Sequence, residues 1–195
     1  MPNWCNNYIE ISGPKSKLIK LKEGAEKGEF LNTLFPMPEV LEGTQADGSE
    51  NKELLEKTGF SDWYGWRVAN WSTKWDVDLY DENSISFRHE LLGEKDGPAT
   101  LSFGFDSAWS PPIGACEAYL EDNPDVSIRL TYYEPGMDFM GVWEDFDDRC
   151  YTCSVDAPTS DSEFWQTDDG QHLDEYMGIV ENLQQWEQEE ELETA

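Results

Sequence analysis

Apolar and polar positions alternate along this chain in short runs, and the runs predict its elements. Tyr8, Ile9 and Ile11 fall in a β-prone stretch that Gly13-Pro14 ends, so Asn3–Ser12 reads as a first strand. Pro14 suits the first turn of a helix whose apolar side is Leu18, Ile19 and Leu21. Phe30–Phe35 is a short apolar stretch, and Pro36-Met37-Pro38 then forces a turn or an extended segment. Residues 42–60 are polar and without period, apart from a short helix expected over Lys52–Lys57 and stopped at Gly59. Across Trp63–Trp75, helical spacing gathers Trp63, Trp66 and Val68–Asn70 partly on one side. Asp76–Tyr80 alternates as a strand with one wet face would, and Ile85–Leu92 alternates in the same way.

The clearest strand is Ala99–Trp109, where Leu101, Phe103 and Phe105 alternate with Ser102, Gly104 and Asp106. Ser110 is the N-cap candidate of the helix that follows; its buried side is Ile113, Cys116, Ala118, Tyr119 and Leu120, and Asn123-Pro124 stops it. Strands follow over Val126–Tyr133 and Phe139–Phe146, with another expected within residues 149–155. Residues 156–172 are polar and turn-rich, Leu173–Trp186 predicts an amphipathic helix, and Gln188–Ala195 an acidic end. The order strand, helix, strand, strand, helix, strand predicts an α+β fold: a ferredoxin-like split βαββαβ antiparallel sheet with its helices on one face, extended by C-terminal strands and an acidic C-terminal helix. The expected division is a domain over residues 1–155 with an inserted loop at 36–62, then an acidic extension over 156–195. The fold name describes topology alone, since no cysteine pattern here fits an iron–sulfur cluster.

Composition changes this picture through charge. Lys+Arg 13 against Asp+Glu 42 gives −29. Residues 1–95 hold 17 acids and 11 bases, net −6, whereas residues 96–195 hold 25 acids and only Arg129 and Arg149, net −23. Aromatic residues at 13% supply enough apolar bulk for a core, which argues against disorder throughout. Such an acidic surface does not attract nucleic acid or an anionic membrane. No apolar run approaches the roughly 18 residues of a membrane span. The polar opening Met1-Pro2-Asn3-Trp4 does not read as a secretory leader, so the expected location is cytoplasmic and the thiols of Cys5, Cys116, Cys150 and Cys153 are expected to be reduced. Cys150 and Cys153 have C-x-x-C spacing without a second pair or a Cys/His pair to complete a zinc site, so structural thiols are expected rather than metal or redox work.

Several short motifs resemble one family in the same order: Met1-Pro2-Asn3-Trp4-Cys5-Asn6-Asn7, Phe35-Pro36-Met37-Pro38, the Trp63–Trp75 stretch, Ala108-Trp109-Ser110-Pro111-Pro112, and Tyr133-Glu134-Pro135-Gly136 with Phe139 and Gly141. The chain resembles the YubB-like family of ferredoxin-like proteins from bacteriophages and conjugative plasmids over about residues 1–155. The family's middle motif reads Asn-Trp-Gly-Thr-Lys-Trp, and here Ser72 stands in place of the glycine. The resemblance implies a phage or plasmid accessory protein in a bacterial cytoplasm and supplies no activity.

No phosphate-binding loop, nucleophile elbow or His-Glu-x-x-His helix is present, and neither His89 nor His172 has a nucleophile beside it in sequence, so catalysis is not expected. Carboxylates cluster at Asp145, Asp147 and Asp148 and at Asp168 and Asp169, without the glycine of a calcium loop, so no metal and no cofactor is expected. Two functions are compatible with these features. In the first, the acids Glu117, Glu121, Asp122, Asp125, Asp145, Asp147, Asp148, Asp168 and Asp169 line one face. That face occupies a basic, nucleic-acid-binding site on a bacterial defence or DNA-processing protein, as DNA would. In the second, the chain is a small-ligand or nucleotide-handling module, enzymatic or not, in which Trp63, Trp66, Arg67, Asn70, Trp71 and Lys74 form a pocket that stacks a ring and binds an anion, with Glu134 arriving from elsewhere.

Overall fold

The computed structural model describes residues 3–80, 84–89 and 96–194. It is a mixed α+β fold built on one six-stranded antiparallel sheet. In chain order the elements are β1 (Trp4–Pro14), α1 (Lys15–Glu26), α2 (Phe30–Leu34), α3 (Lys52–Thr58), α4 (Trp63–Trp71), β2 (Ser86–His89), β3 (Pro98–Ala108), α5 (Ile113–Asp122), β4 (Ser127–Glu134), β5 (Phe139–Glu144), β6 (Asp147–Thr152), the single turn α6 (Cys153–Asp156), α7 (Asp168–Met177) and α8 (Ile179–Thr194). Across the sheet the strands run β2-β3-β1-β4-β5-β6. β1 is central, with Ile9 opposite Phe103 on one side and Leu130 on the other.

Strand alternation assigns the two faces of the sheet. Cys5, Ile9 and Ile11 of β1, Leu101, Phe103 and Phe105 of β3, Ile128, Leu130 and Tyr132 of β4 and Trp143 of β5 point to the front. They bury themselves against Leu18 and Leu21 of α1, Phe30 and Leu31 of α2, Trp66 and Trp71 of α4 and Cys116 of α5. The back face has a core of its own. Met140 and Val142 of β5 pack with Ala157, Trp165, Leu173 and Ile179. Helices therefore cover both faces, not one as expected. The acidic stretch beyond residue 156 is a second layer of the fold rather than an appendage.

Other expectations need local correction. Asp76–Tyr80 is irregular and keeps only an isolated bridge from Leu79 to Phe105. The Asp76 carboxylate accepts the backbone N–H groups of Leu31, Asn32 and Val77, which pins this segment to α2 instead of to a strand ladder. Ser110 does not cap α5: its hydroxyl donates to the Ser72 carbonyl, and the N-cap is Pro112. β6 stops at Thr152, and Cys153 starts a helical turn. The single helix expected over Leu173–Trp186 is two, broken at Gly178, whose φ of 62° is left-handed. Of the predicted strand Ile85–Leu92, β2 accounts for Ser86–His89, and the remainder lies outside the described residues, as do residues 93–95 of the expected turn before Pro98.

Candidate functional site

The nine acids singled out by sequence do not share one face. Glu117, Glu121 and Asp122 lie on α5, in the front layer. Asp125 follows that helix and pairs with Lys17 of α1 at 2.5 Å. Asp145, at φ 45° in the β5–β6 turn, accepts Ser127 Oγ and the Ile128 N–H, both at 2.8 Å, and so closes the turn onto β4. Asp148 accepts the Tyr132 hydroxyl at 2.7 Å. Asp168 and Asp169 open α7, on the back.

The fold does bring one group of acids together. Arg129 and Arg149 both reach Glu144, at 2.6 and 3.6 Å. Arg149 also holds Asp147 and Asp169, each at 2.8 Å, and Tyr151 donates to Asp169 at 2.7 Å. Burial pushes the Asp169 carboxyl up, but the bonds from Arg149 and Tyr151 outweigh it and hold the group below the usual carboxylate range. A cleft of about 520 Å³ lies over these residues, walled also by Phe164, Thr167 and Asp168. The only two bases of residues 96–195 thus meet in one acid-rich cleft, and both are neutralised there.

The pocket expected from the tryptophan segment does not form. Asp62 caps α4 by accepting the Gly65 N–H, and the helix then turns Trp66 and Trp71 into the core. The Trp71 indole donates to the Phe35 carbonyl at 2.8 Å. Arg67 lies over the rings of Trp63 and Trp71, at 5.3 and 4.6 Å from their centroids, as part of this packed cluster. Burial pushes the Arg67 guanidinium down from its ordinary value, and among the described residues its Nε finds no hydrogen-bond partner. Asn70 donates back to the Trp66 carbonyl within α4. Glu134 is buried and caps the turn at Pro135–Met137 by accepting the Met137 N–H. The helix ends on Ser72 at φ 66°, the left-handed position that a glycine occupies without strain. The Ser72 hydroxyl accepts the Gly114 N–H at 3.1 Å and so joins the end of α4 to α5.

Lys74 lies apart from that cluster, among a second set of rings. Its ammonium is 4.4 Å from the Trp75 centroid, 5.5 Å from Trp109 and 5.6 Å from Tyr64, and among the described residues no carboxylate comes within ion-pair distance. Trp4 lies against Trp75 with centroids 6.0 Å apart. Trp4 and Trp109 are 49% and 40% exposed, large values for indoles. A cavity of about 350 Å³ opens here, lined by Trp4, Trp75, Asp76, Asp78, Leu79, Tyr80, Asp106 and Ala108. None of these is among the six pocket residues expected from the sequence; Trp75 enters there only as the end of the Trp63–Trp75 stretch, and Trp4 and Ala108 only within the resemblance motifs. The available signal was the even-numbered, polar-side alternation of Trp4 on β1 and Asp106 on β3, which puts both on the back of the sheet.

Among the described residues no group of three or more His, Cys, Asp or Glu side chains is placed to hold a metal ion. No helix among them is long and apolar enough to cross a membrane. Cys5 and Cys116 are buried, Cys153 is partly buried and Cys150 is exposed; all four are free thiols.

No family model matches the sequence, and no curated protein matches it. Among solved structures the chain is similar to the crystal structure of a protein api92 from Yersinia pseudotuberculosis, family-model DUF1281. The identity is 10% and the TM-score 0.38, over 78% of this chain and 98% of that one.

Proposed function

We propose that this is a non-enzymatic acidic accessory protein of a phage or plasmid. It acts in the bacterial cytoplasm by occupying a basic, nucleic-acid-binding surface on a host defence or DNA-processing protein. The observation that carries this reading is the layer built from residues 150–195, which contain no Lys or Arg. α8 presents Glu181 and Glu189 exposed on a helix that carries no base, and α7 adds Glu175 on the same layer. Carboxylates that no cation of the same layer neutralises keep their field in solution, and a field of that sign draws in a basic partner. The acids of α5 form a second acidic surface on the opposite side, so the mimicry is assigned to the α7–α8 layer alone.

The strand order β2-β3-β1-β4, with α1 and α5 on its front, is that of a split βαβ sheet. It supports reading the 1–155 domain as built on a ferredoxin-like unit, with β5 and β6 added within it and the acidic layer after it.

The test is capture of host proteins on the immobilised full chain at low and high salt, with duplex DNA as competitor. The reading expects capture of a DNA-binding protein that salt weakens steeply and that DNA displaces. Capture indifferent to salt, or not displaced by DNA, overturns it. The pocket of Trp63, Trp66 and Trp71 offers no second reading, because Trp66 and Trp71 are core.

A further inference from the structure

The back of the sheet is covered unevenly. α7 and α8 lie over β4 and β5, and Tyr176 of α7 stacks on Tyr8 of β1 with centroids 4.0 Å apart. Segment 76–80 covers the β3 side: Leu79 bridges Phe105, and the Tyr80 ring packs against Gly104, where a Cβ would come within 3.0 Å of it. Between these two covers the sheet is left open at Trp4, Asp106 and Ala108, and that opening is the cavity of about 350 Å³.

Its walls have one consistent chemistry. Trp4, Trp75 and Tyr80 supply aromatic faces, Asp76, Asp78 and Asp106 supply carboxylates, and no lining residue is a base. The three carboxylates are not equally available. Both oxygens of Asp76 accept backbone N–H groups. Asp106 Oδ1 accepts Asn6 Nδ2 at 2.7 Å and the Tyr80 hydroxyl at 2.5 Å. Asp78 is exposed, and among the described residues no donor reaches it. One wall already works as a cation platform, since the Lys74 ammonium sits 4.4 Å from the Trp75 centroid. That one ammonium is outnumbered by the carboxylates of the lining.

We propose that this cavity receives an arginine side chain of a basic partner protein, with the guanidinium lying against Trp4 and Trp75 and donating to Asp78 and Asp106. A planar, weakly hydrated cation suits aromatic walls with carboxylates at their edge better than a compact ammonium does. A neutral ring would leave the Asp78 carboxylate without a donor beside an apolar wall. This deepens the proposed function, because it rests on the partner being basic, and it assigns a specific contact distinct from the diffuse field of the α7–α8 layer.

The test titrates the full chain with N-acetyl-arginine amide and follows the indole N–H signals of Trp4 and Trp75 by NMR. The isosteric but neutral N-acetyl-citrulline amide is the control. The expected result is a saturable shift of both indoles with arginine and none with citrulline, weakened about threefold to tenfold in Asp78→Asn and lost in Trp4→Ala. Both substitutions fall on exposed side chains, so the fold survives them. Equal shifts with citrulline, no indole shift, or an affinity unchanged in both variants overturns the proposal. The two readings fail separately. If Trp4→Ala binds neither arginine nor citrulline differently from the parent while salt-steep capture persists, only the cavity assignment falls. If arginine enters the cavity but capture ignores salt, only the acidic-surface function falls.

Discussion

Arg149 of β6 holds Asp169 of α7 with two prongs, Nε 2.8 Å from Oδ2 and Nη2 3.2 Å from Oδ1. The pair ties the edge strand of the sheet to the first turn of the helix that covers its back. Both side chains are largely withdrawn from water, so it counts for more than an exposed ion pair and less than a fully buried one. Arg149→Gln is expected to lower stability by about 1–2 kcal/mol, because it also leaves Asp147 and Glu144 less neutralised. Asp169→Asn should cost less, and the double variant should cost less than the two added together. Urea unfolding of the four proteins measures this, and simple additivity would mean that the pair does not couple the two layers.

The thiols report burial directly. Burial pushes the Cys116 thiol up to about 12 and the Cys153 thiol up to about 11, and it raises Cys5 further still. Cys150 is exposed on β6. A thiol reagent at pH 8 on the native protein should label Cys150 quickly, Cys153 slowly, and Cys5 and Cys116 only after unfolding. Mass spectrometry of the labelled peptides gives the order. Fast labelling of Cys5 or Cys116 would contradict the front core.

Much of this architecture was legible in the alternation of side chains. The runs around Ile9 and Phe103 gave both the strands and their buried faces, because a half-covered antiparallel strand must place every second residue inside. The turn at Gly59 followed from one glycine in the left-handed region. What alternation could not give was any choice between local and distant partners. Asp76–Tyr80 has strand periodicity, yet the Asp76 carboxylate is claimed by amides of α2 more than forty residues earlier. Ser110 has the chemistry of a cap, but its hydroxyl faces the end of α4. The acidic stretch reads as solvated sequence because Trp165, Leu173 and Ile179, which bury it on β5, are widely spaced among acids. The cavity joins Trp4, Trp75 and Asp106, whose meeting depends on strand register and on how segment 76–80 lies. The composition of any one stretch says nothing of it.

Ser72 allows a test of what a non-glycine residue costs in the left-handed region. Its backbone pays the left-handed cost of a residue with a Cβ, about 1–2 kcal/mol, while its hydroxyl accepts the Gly114 N–H. Ser72→Ala keeps the strain and loses the bond, so a loss of about 1–2 kcal/mol is expected. Ser72→Gly loses the bond and relieves the strain, and should fall within about 0.5 kcal/mol of the parent. Denaturant midpoints of the three proteins decide it. Equal losses for the two variants would show that strain plays no part.

His172 provides a pH dependence with a definite sign. Burial lowers its pKa from 6.5, and nearby Arg129 lowers it further, against the opposing pull of Glu10, Glu175 and Asp169. Its Nε2 is buried and among the described residues has no hydrogen-bond partner; it lies 3.8 Å from Glu10 Oε2, and the ring meets Tyr176 edge-on. A histidine with a folded pKa below its unfolded one binds fewer protons native than unfolded. Its contribution is therefore complete above about pH 6.5 and is lost as pH falls through the folded value. The imidazole C–H signals should show His172 titrating below 6.5. His172→Gln should show a shallower fall in stability than the parent as pH drops from 6.5, the relief of carboxylate repulsion being common to both. Identical slopes would remove His172 from the acid response.

The docking of the acidic layer itself turns on Gly170. An alanine Cβ there would lie 2.0 Å from the Phe164 carbonyl oxygen and 3.0 Å from the Trp165 Cα, and both are backbone atoms that cannot swing aside. The turn at Glu163–Gln166 and the start of α7 can pack only because residue 170 has no side chain. Gly170→Ala is expected to cost about 2–3 kcal/mol, and to cost it unevenly. The strain sits between the Glu163–Gln166 turn and the start of α7, within the layer behind β5, so the front core of Ile9, Phe103 and Trp71 should keep its native packing. Amide hydrogen exchange can separate the layers: protection should drop across α7 and α8 while the β1 and β3 amides retain theirs. Equal loss of protection in β1 and in α7 would mean that the two layers unfold as one unit.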